Sequence, residues 1–220
     1  VGDMSVSAAV AQRASVRAFT SQPVTDETVR QLLSKASRSP SGGNVQPWKV
    51  YVVNGAATEQ LTELAIANGI EDSEYVLYPP KLWEPHRTSR FTLGEAMYDL
   101  LGIAREDKEG RFTQFAKNTT FFGAPVGVFC FIDRRMGEPQ WSDLGMFLQT
   151  FMLLAEEAGL ATCAQEYWGI HHQTVQDFVG APEELMLFTG MALGYADNTA
   201  KVNELQSQRI AVEDFATFIS

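Results

Sequence analysis

The sequence predicts a mixed helix and strand fold, α/β or α+β, as a single domain over residues 1–220. A chain of this length with 45% hydrophobic residues can bury one sizeable core. Segments with helical apolar spacing are separated by short strand-like runs, and no internal repeat or low-complexity tract interrupts them.

Taken in order, residues Ser5 to about Gln12 are small and suit a short helix, and RASVRAF then alternates polar and apolar as an extended segment does. Pro23 breaks the chain. The spacing of Val29, Leu32, Leu33 and Ala36, with Thr25 as cap and an acidic first turn, predicts a helix over 25–37. A strand follows at about 48–53, then a turn at Asn54-Gly55 and a helix closed by Gly69. Residues 70–118 form a lid-like excursion, proline-rich and aromatic at first and helical through RFTLGEAMYDLLGI. Within it REDKEGR, residues 105–111, reads as an exposed, functionless charged face. FFGAPVGVFCFID predicts a strand covered on both faces, and WSDLGMFLQTFMLLAEEAGL a long helix ending at Gly159. Apolar residues surround much of that helix, which favours a large core or a partner subunit. ATCAQEYW supplies a further strand, QTVQDFVG a short helix, and ELMLFTGMALGYA a last core strand turning at Gly194. An extended C-terminal arm occupies about 197–220.

A net charge of −10 argues against a nucleic-acid surface or an anionic membrane, because either needs a basic face. No run approaches the roughly 18 apolar residues of a membrane span, and the first twenty residues lack a basic start followed by an apolar stretch, so a cytoplasmic location is expected. Cys130 and Cys163 are far apart and outside any CxxC pattern, which points to two reduced thiols rather than a disulfide or zinc site. His171 and His172 are adjacent, so their side chains diverge, and His86 lies in the excursion. No metal set and no Ser-His-Asp arrangement emerges from three scattered histidines, and no side chain is assigned a catalytic role.

Three patches carry potential chemistry. In an extended segment Arg13, Ser15 and Arg17 project to one face, where two guanidiniums and a hydroxyl can hold a phosphate; the same spacing also fits a solvated strand face. The loop SPSGGNVQPW, residues 39–48, contains Pro40, Ser41, Gly42 and Asn44 and lets bare backbone approach a flat ligand, or simply turns the chain from helix to strand. It is not a phosphate loop, since neither GxxxxGK[ST] nor GxGxxG occurs. The segment from Gly159 to Tyr167 includes Cys163, which reads as a buried inert thiol. Tyr78, Trp83, Tyr98 and Trp168 are candidates to roof a ring-binding pocket and equally fit a core.

Taken in register, R-x-S-x-R, SPSGGNVQPW, GLATCAQE and the late arginine of LQSQRIAVEDF resemble the nitroreductase family of flavoproteins over nearly the whole chain. YPPKLWEPHR, RFTLGEAMYDLLGIAR and FFGAPVGVFCFIDRRMGEPQWSDLGMFLQ are most similar to its nitrobenzoate-reductase-like branch. The resemblance implies an α+β, three-layer fold with a mostly antiparallel central sheet, and a domain-swapped-type homodimer whose sites at the interface each bind FMN. Arg13 and Arg209 would hold the FMN phosphate, Ser15 would lie along the ribityl chain, and Arg17 would approach the N1/O2 edge of the ring. Pro40, Ser41, Gly42 and Asn44 would come from the other subunit, with Asp143 near that partner's flavin. Ala164, Gln165 and Glu166 match the segment beside N5. Family members often have proline where this chain has Ala164, and a basic residue where it has Ser207. The implied activity is ping-pong hydride transfer through N5, from NADH or NADPH to a nitroaromatic or quinone-like acceptor. An enone reductase, dehalogenase, dehydrogenase or non-catalytic flavin-binding protein on the same scaffold are the alternatives.

Overall fold

In the computed structural model, which describes residues 4–219, four strands form one fully antiparallel sheet in the order β1-β2-β4-β3. They are β1 (Lys49–Asn54), β2 (Val126–Asp133), β3 (Ala161–Gln165) and β4 (Leu185–Gly194). The helices are α1 (Val6–Gln12), α2 (Asp26–Ala36), α3 (Ala56–Asn68), α4 (His86–Leu101), α5 (Lys108–Ala116), α6 (Glu138–Glu157), α7 (His172–Val179) and a single turn, α8 (Val212–Phe215). The antiparallel ladder resolves the choice left open by the residues in favour of α+β. Among the described residues no helix is long and apolar enough to cross a membrane.

Strand alternation sorts the core into two layers. Val126, Val128, Cys130 and Ile132 of β2 pack with Val29 and Leu32 of α2 and Leu144, Phe147 and Phe151 of α6 on one face. Phe129 and Phe131 turn the other way, to Leu61 of α3, Trp168 and Val175 of α7. β4 carries one extra residue: Cys130 pairs with Thr189 but Phe131 with Leu187. This bulge resets the parity, so that Met186 and Met191 both reach the first layer while Leu187 and Ala192 reach the second. Phe188, the residue passed over, has its carbonyl taken by the Tyr75 hydroxyl. At Gly190 the strand has no room for a side chain, because a Cβ would stand 2.9 Å from Trp168 Cγ and 3.1 Å from Phe129 Cε1.

Local chemistry explains the helix ends. Ser5, Thr25 and Asp107 each accept a backbone N–H of the first turn, opening α1, α2 and α5. Helix α6 starts three residues earlier than the apolar pattern suggests, at Glu138 with Pro139 next, because Gln140 bonds back to the Gly137 N–H at 3.2 Å. The charged run at 105–111 is exposed through Glu109, as expected, but it also contains the start of α5, and the half-buried Arg111 grips both Glu95 oxygens of α4 at 2.6 and 3.2 Å while lying 4.1 Å over the Tyr98 ring. The excursion is thereby a braced helical pair.

Candidate functional site

The extended RASVR segment lies beside the free edge of β3. Ser15 bridges Thr162 in parallel, and the Val16 N–H donates to the Thr162 carbonyl at 3.0 Å. A single asparagine fixes this placement from the other side. Asn203 accepts the Arg17 N–H at 2.8 Å and donates to the carbonyls of Ala18 at 2.8 Å and Asp197 at 2.9 Å. Nothing in the sequence marks Asn203 for that task; it belongs to a 3-10 turn, Lys201–Glu204, in the C-terminal region.

Arg13 and Arg17 converge electrostatically on one point of β3. Burial holds the Cys163 thiol above its ordinary value, and the Arg17 and Arg13 guanidiniums both pull it the other way. Burial likewise raises the Glu156 carboxyl of α6, with Arg13 opposing. Among the described residues neither arginine makes an ion pair, and Arg17 Nη1 donates only to the Ser15 carbonyl, at 3.2 Å. Beyond this point β3 alternates: Cys163 and Gln165 are buried, Ala164 and Glu166 exposed.

Gln165 therefore faces inward. Its amide donates to the Asn118 carbonyl at 2.8 Å and to Asn118 Oδ1 at 3.1 Å, and its oxygen accepts from Trp168 Nε1 at 3.4 Å. The Gln165 side chain is a bracket in the core. Trp168 is also core, stacked on Phe121 at 4.7 Å between ring centroids. Glu166 lies outward beside the Tyr78 hydroxyl, which burial first and this carboxylate second raise above the ordinary 10.0, with Arg90 offsetting part of the effect.

The glycine loop occupies a different place. The buried Asp143 of α6 accepts the Gly42 N–H at 3.2 and 3.3 Å, and Ser41 Oγ accepts the Gln46 N–H at 3.0 Å. Gly43, Asn44 and Gln46 all have positive φ, so the loop is a tight left-handed knuckle with Pro40, Asn44 and Val45 exposed. Asp143 thus clamps its own loop. Thirteen residues of α6 separate Asp143 from Glu156, the neighbour of Arg13, which at 1.5 Å per residue is about 20 Å. Within one chain, loop and arginine segment are at opposite ends of α6. Arg209, in the C-terminal arm, bonds only Ser207 and Gln208 among the described residues, its Nη1 reaching Ser207 Oγ at 2.5 Å.

The two adjacent histidines diverge: His171 Nε2 meets the Tyr167 hydroxyl at 2.9 Å, and His172 Nε2 meets the Asp72 carbonyl at 3.0 Å.

The sequence model of the nitroreductase family matches residues 10–195, from α1 to the end of β4. The chain belongs to the nitroreductase family. This nitroreductase-family chain is 36% identical over 216 residues to the chloronitrobenzene nitroreductase of Comamonas testosteroni, covering 96% of this chain and 95% of the relative. It is 35% identical over 214 residues to the 4-nitrobenzoate reductase of Pseudomonas putida, covering 96% and 94%. Among solved structures, the FMN and NADPH-dependent nitroreductase NfnB from Sphigopyxis sp. strain HMH superposes with a TM-score of 0.95 at 42% identity, over 98% of this chain and 99% of that one.

Proposed function

We propose that this chain is an FMN-dependent oxidoreductase that uses NAD(P)H to reduce nitroaromatic or quinone-like acceptors, acting as a homodimer with its sites at the interface. The observation that carries the reading is the convergence of Arg13 and Arg17 on the free edge of β3, joined to full-length similarity with nitroreductases.

The residues present fit FMN on the chemistry of their donors. Two guanidiniums that make no ion pair among the described residues suit a phosphate and an electron-rich ring edge, and the exposed end of β3 offers backbone next to them. Arg13 would hold the phosphate with Arg209, Ser15 the ribityl chain, and Arg17 the N1/O2 edge. Ala164 and Glu166 would line the N5 side with their backbone, while Gln165 acts from behind by fixing the strand. Bound FMN supplies the hydride chemistry. The protein's part is orientation and field: Arg17, anchored through its N–H by Asn203, places positive charge where reduction builds negative charge.

The separation of about 20 Å along α6 supports a two-subunit site. If Pro40, Ser41, Gly42 and Asn44 close on a flavin held by Arg13 and Arg17, they do so from the partner. Asp143 serves that arrangement by shaping the loop. Apolar exposure agrees with an absent partner surface: Val6 and Val10 of α1, Val45 of the loop, Met146 of α6, and Ile210, Phe215, Phe218 and Ile219 of the arm all face outward.

The test is direct. Purified protein should sediment as a dimer, carry or take up FMN with a yellow absorption spectrum, and oxidise NADPH or NADH in the presence of a nitroaromatic. A colourless protein that ignores added FMN sinks the reading.

A further inference from the structure

An open cleft of about 520 Å³ lies between the end of α4 and helix α5, and none of the residues lining it belongs to the candidate flavin site. Asp107, which caps α5, and Gly110, Gln114 and Lys117 of the helix are spaced three, four and three positions apart, so they form one stripe along the cleft. Leu101 and Ile103, both half-buried, supply its apolar wall.

Gln114 is the unusual member of the stripe. It is only 4% exposed, yet its side-chain amide makes no hydrogen bond among the described residues. Buried carboxamides ordinarily find partners, as those of Gln165 and Gln176 do. The Gln114 amide atoms are not sealed from solvent, so the little exposure that remains opens on the cleft. One acceptor and two donors therefore stand unpaired at its centre.

Charge is ordered along the same line. Asp107 and Glu109 stand at one end and Lys117 at the other, and none of the three makes an ion pair among the described residues. Asp107 Oδ1 accepts the Gly110 N–H at 2.8 Å, while its Oδ2 has no hydrogen bond among the described residues. From Glu109 to Lys117 the helix rises about 12 Å. A ligand that satisfies the cleft thus has an ammonium at one end, a carboxylate at the other and amide groups between. In an extended peptide the N–H and C=O of one residue point to the same side, so a single carboxamide pairs with both. A tripeptide spans about 10 Å, a gap that the long Glu109 and Lys117 side chains can close.

We propose that this cleft binds a short zwitterionic peptide, its amino terminus at Asp107 and Glu109, its central residue paired with Gln114 beside Leu101 and Ile103, and its carboxyl terminus at Lys117. The site adds a peptide-binding function to the chain and does not depend on the flavin reading.

The experiment is an amide NMR titration of the purified protein with the tripeptide Ala-Leu-Ala at low salt. Shift changes should cluster at residues 101–117, and binding should weaken as salt is added. Acetylating the amino terminus and amidating the carboxyl terminus of the probe removes both charges and should raise its Kd about tenfold or more. A zwitterion without a peptide unit, 6-aminohexanoate, should bind about tenfold more weakly than the tripeptide. Lys117→Gln and Gln114→Leu should each raise the tripeptide Kd about tenfold. Gln114→Leu has a second readout: no bond within the protein is lost, so its melting temperature should hold or rise. The proposal is overturned if Ala-Leu-Ala leaves residues 101–117 unshifted, or if the capped peptide or 6-aminohexanoate binds as tightly as the tripeptide. It is equally overturned if either variant binds the tripeptide unchanged, or if Gln114→Leu lowers the melting temperature, which would make the amide a structural group.

Discussion

Asp143 holds the Gly42 N–H between its two carboxylate oxygens, at 3.2 and 3.3 Å, and so joins the glycine loop to the N-terminal part of the first layer's longest helix. The bond joins a buried carboxylate to an exposed loop and spans 101 residues of sequence. Its removal should loosen residues 40–46 without unfolding the helix. Asp143→Ala is expected to cost about 1–3 kcal/mol, the range for losing a buried hydrogen bond to a charged group. Urea unfolding measures the cost, and faster amide exchange confined to the loop would separate local loosening from global loss.

The Gln165 bracket yields a second expectation. Gln165→Leu leaves the buried Trp168 indole N–H without its partner and removes both amide bonds to the half-buried Asn118, whose carbonyl keeps only the Phe121 N–H. The loss should be roughly 2–4 kcal/mol, more than a typical surface change. Chemical denaturation of the flavin-free protein reads this without contribution from ligand binding.

His171 sets part of the acid limb of stability. Burial lowers its imidazole below the ordinary 6.5, against the opposing pull of Glu71, so the folded state holds it neutral at a pH where the unfolded chain takes up a proton. Stability from this group is therefore full above pH 6.5, falls as pH drops through that value, and stops falling once pH is below the folded-state value. His171→Gln should flatten that slope in unfolding curves taken between neutral pH and pH 5, though it lowers stability at neutral pH by disturbing the Tyr167 bond. A slope identical to that of the parent would remove His171 from this role.

The arginines should separate by function. Arg17→Ala is expected to weaken FMN binding and lower the flavin potential, because the proposed function puts this positive charge at the ring edge. Arg209→Ala should affect affinity alone. Potentiometry on FMN-saturated variants distinguishes them, and an unchanged potential in Arg17→Ala would strike that residue from the ring edge.

Much of the fold was readable because local and long-range signals agreed. Thr25 with its acidic turn and the spacing of Val29, Leu32 and Ala36 name α2 before any tertiary contact is known, and the structure places the same cap and the same buried face. The alternation of Arg13, Ser15 and Arg17 likewise survives as an extended segment on β3. Helix α5 was hidden because its first turn is charged and contains Gly110, features that describe a solvated loop equally well until Glu95 appears opposite Arg111. Side-chain direction at Gln165 was illegible for a different reason. A motif in sequence fixes that a segment lies near a ligand, but which residues turn toward it depends on strand register, and the register of β3 is set by β4. The role of Asn203 depends on the C-terminal region returning to the beginning of the chain, a contact 186 residues apart.

The alternation at the end of β3 divides labour between neighbouring positions. Cys163 and Gln165 are committed to the interior, whereas Ala164 and Glu166 are exposed. Exposed and buried positions thus alternate along this stretch, so a mutational library confined to positions 164 and 166 can vary the edge that the proposed function makes the reacting one while the scaffold that holds it stays intact.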